Sequence, residues 1–297
     1  MEASGDGGRM NMRYLGIVAV SMVAVMLGSA IANAETLVYN QGFETNTDGI
    51  IDYGGTVTRV ASGSGTLGVT SVSGGYHAEV TLAGVYGNGF YTRNGGYSIV
   101  WPGYVRQSIL LYIDPAAGAV DDGYFWDPGL TKLDGTPSGT WGRGGGFGVK
   151  KTAGDTWSLG AEDDYGGFDW FNNTGFIHTN TTALTITAAG WYKLQTEWLE
   201  STDGLWIDQR NKVFNSGGTE LWTDMVYGVL ATTDNVTQSD IWAGGVRYSW
   251  LGSVDGNTMG VLAFDDVQAA VPEPVTMAGV MLGIGSVVTY VRKRRTA

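Results

Sequence analysis

The sequence predicts an all-β protein, an antiparallel two-sheet β-sandwich of jelly-roll type, on three observations. Glycine is abundant and proline scarce, 48 against 6, and 12% of residues are aromatic. Short β-branched or aromatic stretches are separated by turn residues throughout the middle of the chain. No amphipathic stretch of helical period runs for ten residues anywhere between 35 and 271.

The ends are read first, because they fall outside this pattern. Residues 10–34 combine a basic start at Arg13, an apolar run from Leu15 to Leu27 and a small-x-small site at Ala32-Asn33-Ala34. That is a secretory signal peptide, with cleavage expected before Glu35 and translation starting more naturally at Met10 or Met12. The Sec export machinery is the partner this implies. At the other end, Val275 to Val291 is uncharged, and as a helix it would span roughly 25 Å, enough for a thin bilayer. Pro272 and Pro274 set its start, since neither fits inside a regular helix. Arg292, Lys293, Arg294 and Arg295 follow and would hold the cytoplasmic side of the inner membrane.

Between the ends lie residues 35–270, the expected ectodomain. Outside 35–271 fall Arg9, Arg13 and the final four basic residues, and Glu2, Asp6 and Glu273 among the acids. This leaves 11 basic and 26 acidic residues, near −15. Such a balance argues against nucleic acid as a partner. The chain has no cysteine, which excludes disulfides, thiol nucleophiles and zinc-thiolate sites, and its two histidines exclude a histidine-rich metal site. The segments TLVYNQGF, GTVTRVAS, YHAEVTLAGVY, VRQSILLYIDP, GGFGVKKT, TALTIT, GWYKLQTEWLE, LWIDQR, ELWTDMVYGVLA and GVLAFDDVQAA read as strands. Within VRQSILLYID, the pleat puts Val105, Gln107, Ile109, Leu111 and Ile113 on one face.

Two resemblances bear on these residues. Val271-Pro272-Glu273-Pro274, the apolar run and the terminal RKRR together resemble the PEP-CTERM sorting signal of bacterial exported proteins. This implies processing by an exosortase and a Gram-negative-type host that makes exopolysaccharide. The opening LVYNQGFETNTDG (37–49) and closing GVLAFDDVQ (260–268) resemble the first and last strands of carbohydrate-binding jelly rolls. The resemblance implies that those strands lie side by side and that Glu44 and Asp265 or Asp266 hold a structural calcium ion. The typical module is shorter than this ectodomain, so a larger concanavalin-type sandwich is the other parent considered.

Eleven tryptophans are numerous for this length. Indole faces stack on sugar rings, and neighbouring carboxylates and amides bond hydroxyls, so DDGYFWDPG (121–129) and EDDYGGFDWFNN (162–173) are the candidate ligand loops. Trp126 and Trp170 are expected to be exposed there, with Asp127 and Asp169 as further ligand-binding candidates, whereas Trp191, Trp198, Trp206 and Trp222 are expected in the core. Catalytic patterns are weak. Glu197 and Glu200 fall on opposite faces of a strand, Glu162 and Asp164 sit in turn sequence, and His77 and His178 read as buried or turn histidines. GSGTLG (63–68) and GRGGGFG (142–148) lack the helix that gives nucleophile elbows and phosphate loops their meaning. The expectation is a non-catalytic surface or matrix protein that associates with extracellular polysaccharide. A glycoside hydrolase or lyase on the same fold, and a matrix protein or adhesin with no small ligand, stand as alternatives.

Overall fold

The structure, a computed structural model, describes residues 35–82, 84–94, 103–130, 145–161, 183–202, 204–226, 246–254 and 256–272. The expected signal peptide with Ala32 and Ala34, the apolar segment 275–291, Glu273, Pro274 and the 292–295 cluster lie outside them. So do Trp170, Asp169, Glu162, Asp164 and His178. Among the described residues no helix is long and apolar enough to cross a membrane. Residues Leu37–Val271 form one compact unit.

Fifteen strands run in order: β1 (Glu35–Gln41), β2 (Ile50–Tyr53), β3 (Thr56–Ala61), β4 (Tyr76–Thr81), β5 (Gly89–Thr92), β6 (Tyr104–Ile113), β7 (Gly123–Leu130), β8 (Phe147–Thr152), β9 (Thr156–Ala161), β10 (Leu184–Ile186), β11 (Gly190–Glu200), β12 (Ile207–Asn215), β13 (Glu220–Val226), β14 (Val246–Ser253) and β15 (Val261–Pro272). They form two antiparallel sheets. One runs β13-β12-β11-β6-β15-β4-β3 with β1 also on β15, and the other β10-β9-β8-β7-β14-β5-β2. Glu35, the expected first mature residue, opens β1, and Val271 and Pro272 of the sorting motif close β15.

The core is the apolar layer between the sheets. Val105, Gln107, Ile109, Leu111 and Ile113 of β6 are all at most 1% exposed, as their alternation predicts. Opposite them stand Phe90, Trp126, Phe147, Val149, Trp157, Leu159 and Leu251. Aromatic contacts join the layers; Phe90 stacks on Phe264 at 4.3 Å between centroids. Filling such a layer with large rings in place of disulfides is what a cysteine-free domain needs.

The other face of the eight-stranded sheet is not simply solvated. Val69, Leu110, Trp191 and Ala263 form a second small core there, with Tyr112 against it. Trp191 is held by its indole N–H on the Thr70 carbonyl at 2.8 Å, and His77 packs edge-on to it. His77 is fully buried, its Nδ1 bonds the Ser71 hydroxyl at 3.0 Å, and burial pushes its pKa down. Glu79 receives the backbone N–H groups of Thr66 and Leu67, both at 2.9 Å. The GSGTLG stretch is therefore part of a loop pinned over the sheet, not a nucleophile elbow. Of the tryptophans expected in the core, Trp198 is fully buried beside Gln107, Trp191 is in this second cluster, Trp222 packs half-buried against the first, and Trp206 is half-buried and in neither cluster.

Candidate functional site

The expected exposure of Trp126 is corrected: it is 0% exposed, in the inter-sheet core. Trp126 pairs with Leu251 on β14 and Phe147 on β8, and it stacks on Phe147 at 6.1 Å and 23°. The DDGYFWDPG stretch is a central strand rather than a rim loop, and adjacent residues of a strand point to opposite faces. Asp127 therefore points away from Trp126, and at 7% exposed it is buried on the outer side of the sheet rather than open to solvent. Its register partner on β14 is Trp250.

Trp250 belongs to an aromatic ledge on the outer face of the seven-stranded sheet. Register places Ile51, Tyr91, Trp250 and Asp127 in one cross-strand row on β2, β5, β14 and β7. Tyr53, two residues beyond Ile51 on the edge strand, is 48% exposed. Its ring meets Trp250 at 5.6 Å and 89°, and Tyr91 at 6.1 Å and 73°. The Arg93 guanidinium lies 5.9 Å from the Tyr91 ring. Trp250 is fixed from below: its indole N–H donates to the Gly87 carbonyl at 3.1 Å, and its ring meets Phe125 edge-on at 5.0 Å. Phe125 in turn stacks on Tyr86 at 5.7 Å.

Glycines let these rings lie close to the sheet. A Cβ at Gly252 would come within 2.4 Å of the Phe125 ring, and one at Gly89 within 2.0 Å of the Leu251 carbonyl oxygen. Such contacts cannot be made, so the strand positions beside the rings must stay glycine. Tyr53, Tyr91 and Trp250 carry no motif in sequence. The signal available was their place as aromatics in short strands flanked by glycine, a pattern shared by many core residues.

The three carboxylates expected to hold calcium are near the chain's first and last strands but are committed separately. The first strand does lie beside the last, with Gln268 donating to Asn40 Oδ1 at 3.1 Å. Glu44 accepts the backbone N–H groups of Gly75 and Tyr76 at 3.0–3.2 Å. Asp266, at a positive φ of 42°, accepts the Ser73 hydroxyl at 3.3 Å. Asp265 is fully buried and accepts the Asp266 N–H at 2.9 Å. Among the described residues no group of three or more acidic or histidine side chains is arranged to hold a metal ion. In the structure Glu44, Asp265 and Asp266 are each bound to backbone or hydroxyl donors. What ties the corner is Arg59, which donates to the Phe43 and Glu44 carbonyls and lies on the Tyr76 ring at 3.2 Å.

Glu197 and Glu200 fall on opposite faces, as their spacing predicts. Glu197 is buried between Arg210 and Lys212 and accepts the Gln195 amide at 2.6 Å.

No family model matches the chain, and no curated protein matches it. Among solved structures, it is similar to the CBM22-1 xylan-binding domain of Xyn10C from Paenibacillus barcinonensis, at 13% identity and a TM-score of 0.38 over 81% of this chain and 97% of that one. It is also similar to the carbohydrate esterase vb_24B_21 of Shiga toxin-encoding bacteriophage phi24B, at 12% identity and 0.45 over 81% and 100%. A legume lectin-like domain from Entamoeba histolytica gives 13% identity and 0.33 over 72% and 88%. At these scores the likeness carries no ligand with it, and function has to be read from the surface.

Proposed function

We propose that the chain is an exported, surface or matrix β-sandwich that associates with extracellular polysaccharide without cleaving it, through the Tyr53–Tyr91–Trp250 ledge. The observation that carries this reading is the ledge: three partly open rings fixed on a sheet floor, beside Arg93. Apolar faces of sugar rings stack on such aromatics while charged and amide neighbours bond hydroxyls, and a pre-formed surface avoids the ordering cost of binding. The strongly acidic ectodomain favours a neutral or weakly charged polymer.

Affinity electrophoresis against a panel of soluble polysaccharides tests it. Tyr53→Ala and Trp250→Ala should each weaken retention about five- to thirtyfold, by loss of roughly 1–2 kcal/mol of stacking. Unchanged retention in both variants would remove the ledge from the binding surface. Release of reducing ends by the wild-type chain would replace binding with glycoside cleavage.

Delivery belongs to the same proposal. The signal peptide would be removed before Glu35, and the tail from the VPEP motif onward would be recognised by an exosortase in the inner membrane. Mass spectrometry of surface-located protein should find an N-terminus at Glu35 and no peptide ending at Ala297. An intact Ala297 terminus on most molecules would refute the sorting.

A further inference from the structure

The three rings of the ledge do not share a plane. Tyr53, the most open of them, stands at 89° to Trp250 and 73° to Tyr91. Whichever ring lies along the sheet, another rises across it, so no flat surface meets all three faces at once. Packing sets these tilts. The Trp250 ring lies against Gly87, where a Cβ would come within 2.9 Å of it, and it also meets Phe125 at 89°. Phe125 is itself buried, which leaves that contact little room to turn. Laying the Tyr53 ring down would break its edge contacts with both neighbours, an arrangement that the charge distribution of aromatic rings favours.

The ledge is also short. Its rings come from β2, β5 and β14, which are neighbours in the sheet, so they span about 10 Å, two interstrand spacings. β2 is the last strand of its sheet, and among the described residues no strand continues the surface past Tyr53. On the other side the row passes from Trp250 to the buried Asp127, which adds no further ring.

We infer that the ledge takes a single, separate polysaccharide chain rather than a crystalline surface, and grips about two sugar units in the corner between Tyr53 and Trp250. The inference rests on the polysaccharide reading above and names the physical form of the ligand for the same surface. A crystalline face presents many parallel chains in one plane, and seating on it requires ring faces that are coplanar. A separate chain has no such requirement. One unit lays its apolar face on one ring, and the next meets the ring that stands across it. Rings already fixed in this corner spare the cost of ordering them on binding.

Adsorption measurements and isothermal titration calorimetry on the full chain test this. The insoluble probes are microcrystalline cellulose and chitin, each beside its acid-swollen form. The soluble probes are cello-, xylo-, manno- and chito-oligosaccharides from monosaccharide to hexasaccharide. A swollen polymer or a soluble oligosaccharide should bind, and a crystalline form should adsorb at least about tenfold less per accessible area. Affinity for the oligosaccharide that binds should rise up to the trisaccharide and change less than about threefold from there to the hexasaccharide. Tyr53→Ala, which removes the standing ring, should weaken oligosaccharide binding without weakening adsorption to the crystalline form. Equal adsorption to crystalline and swollen polymer overturns the inference. If that adsorption is lost in Trp250→Ala, the ledge remains the binding surface and only the form of its ligand is wrong. An affinity that climbs another tenfold or so beyond the trisaccharide overturns the short corner. Oligosaccharide binding unchanged in both Tyr53→Ala and Trp250→Ala removes the ledge and the inference with it. A wild-type chain that binds no probe removes the polysaccharide reading together with both.

Discussion

Trp126→Ala should lower the unfolding free energy by about 3–5 kcal/mol, the cost of a large aromatic cavity in a close-packed layer. The ring is fully buried between Phe147 and Leu251, with neighbours fixed in two central strands, so the site has little freedom to collapse. Urea denaturation followed by tryptophan fluorescence measures it: the midpoint should fall with an unchanged slope. Polysaccharide affinity per folded molecule should stay at the wild-type value. Trp126→Phe should cost less, because it fills much of the volume and deletes an indole N–H that has no hydrogen-bond partner among the described residues. A near-zero stability change with lost binding would return Trp126 to the ligand-facing role that the sequence suggested.

The second large effect is a pH dependence centred on Asp265. Burial, then the neighbouring Asp266 charge, push its carboxyl from 3.8 up to about 7, and the backbone N–H groups of Asp266, Ser73 and Val72 only partly oppose this. Asp266 is also raised, by burial first and with Glu44 adding to it, against the Ser73 hydroxyl and the Lys193 ammonium. Between pH 4 and 7 the folded chain holds a proton on Asp265 that the unfolded chain has released. Its stabilisation is thus complete below about pH 4 and disappears as pH rises through about 7. A rise of about three units corresponds to roughly 4 kcal/mol at full extent. Asp265→Asn, which mimics the protonated form, should match wild type only near pH 4 and exceed it by a margin that grows up to about pH 7, so its profile from pH 5 to 8 is flatter. Thermal unfolding at pH 5, 6.5 and 8 measures this. An Asp265→Asn midpoint that tracks wild type at every pH would show that Asp265 titrates normally.

Much of the fold was legible because strand pleating leaves a period-two trace wherever one face is wet or differs in chemistry. In β6 the alternation from Val105 to Ile113 named the inner face correctly. β7 defeated the same reasoning, since every residue from Gly123 to Leu130 is buried. With a core on one side and the Tyr86–Phe125–Trp250 group on the other, the strand has no polar face to betray its phase. DDGYFWDPG then looked like a loop, its aspartates and glycines outweighing its aromatics. The same reason hid the second core under residues 62–75: Leu110 and Trp191 lie on the face that alternation assigns to solvent, and a pinned loop covers them.

The candidate site was less legible. Asp127 was named from sequence and does flank the ledge, but Tyr53, Tyr91 and Trp250 are 38 to 197 positions apart and meet only through sheet registry. The partners of the calcium candidates were hidden for a related reason. Residue type identified Glu44, Asp265 and Asp266 as hard oxygen donors, whereas their actual partners are backbone amides and a serine hydroxyl. Those partners are set by turns, including a positive φ at Asp266, that no side-chain pattern announces.

By itself the sequence determined the secondary-structure class, the absence of disulfide or thiol chemistry and the processing signals expected at both ends, because these follow from composition and from patterns local to the chain. The tertiary structure alone decided which aromatics are core and which form a surface, and where polar side chains are buried together. Those properties depend on which strands become neighbours and on what covers the outer face of each sheet, and both are set by contacts between residues far apart in sequence.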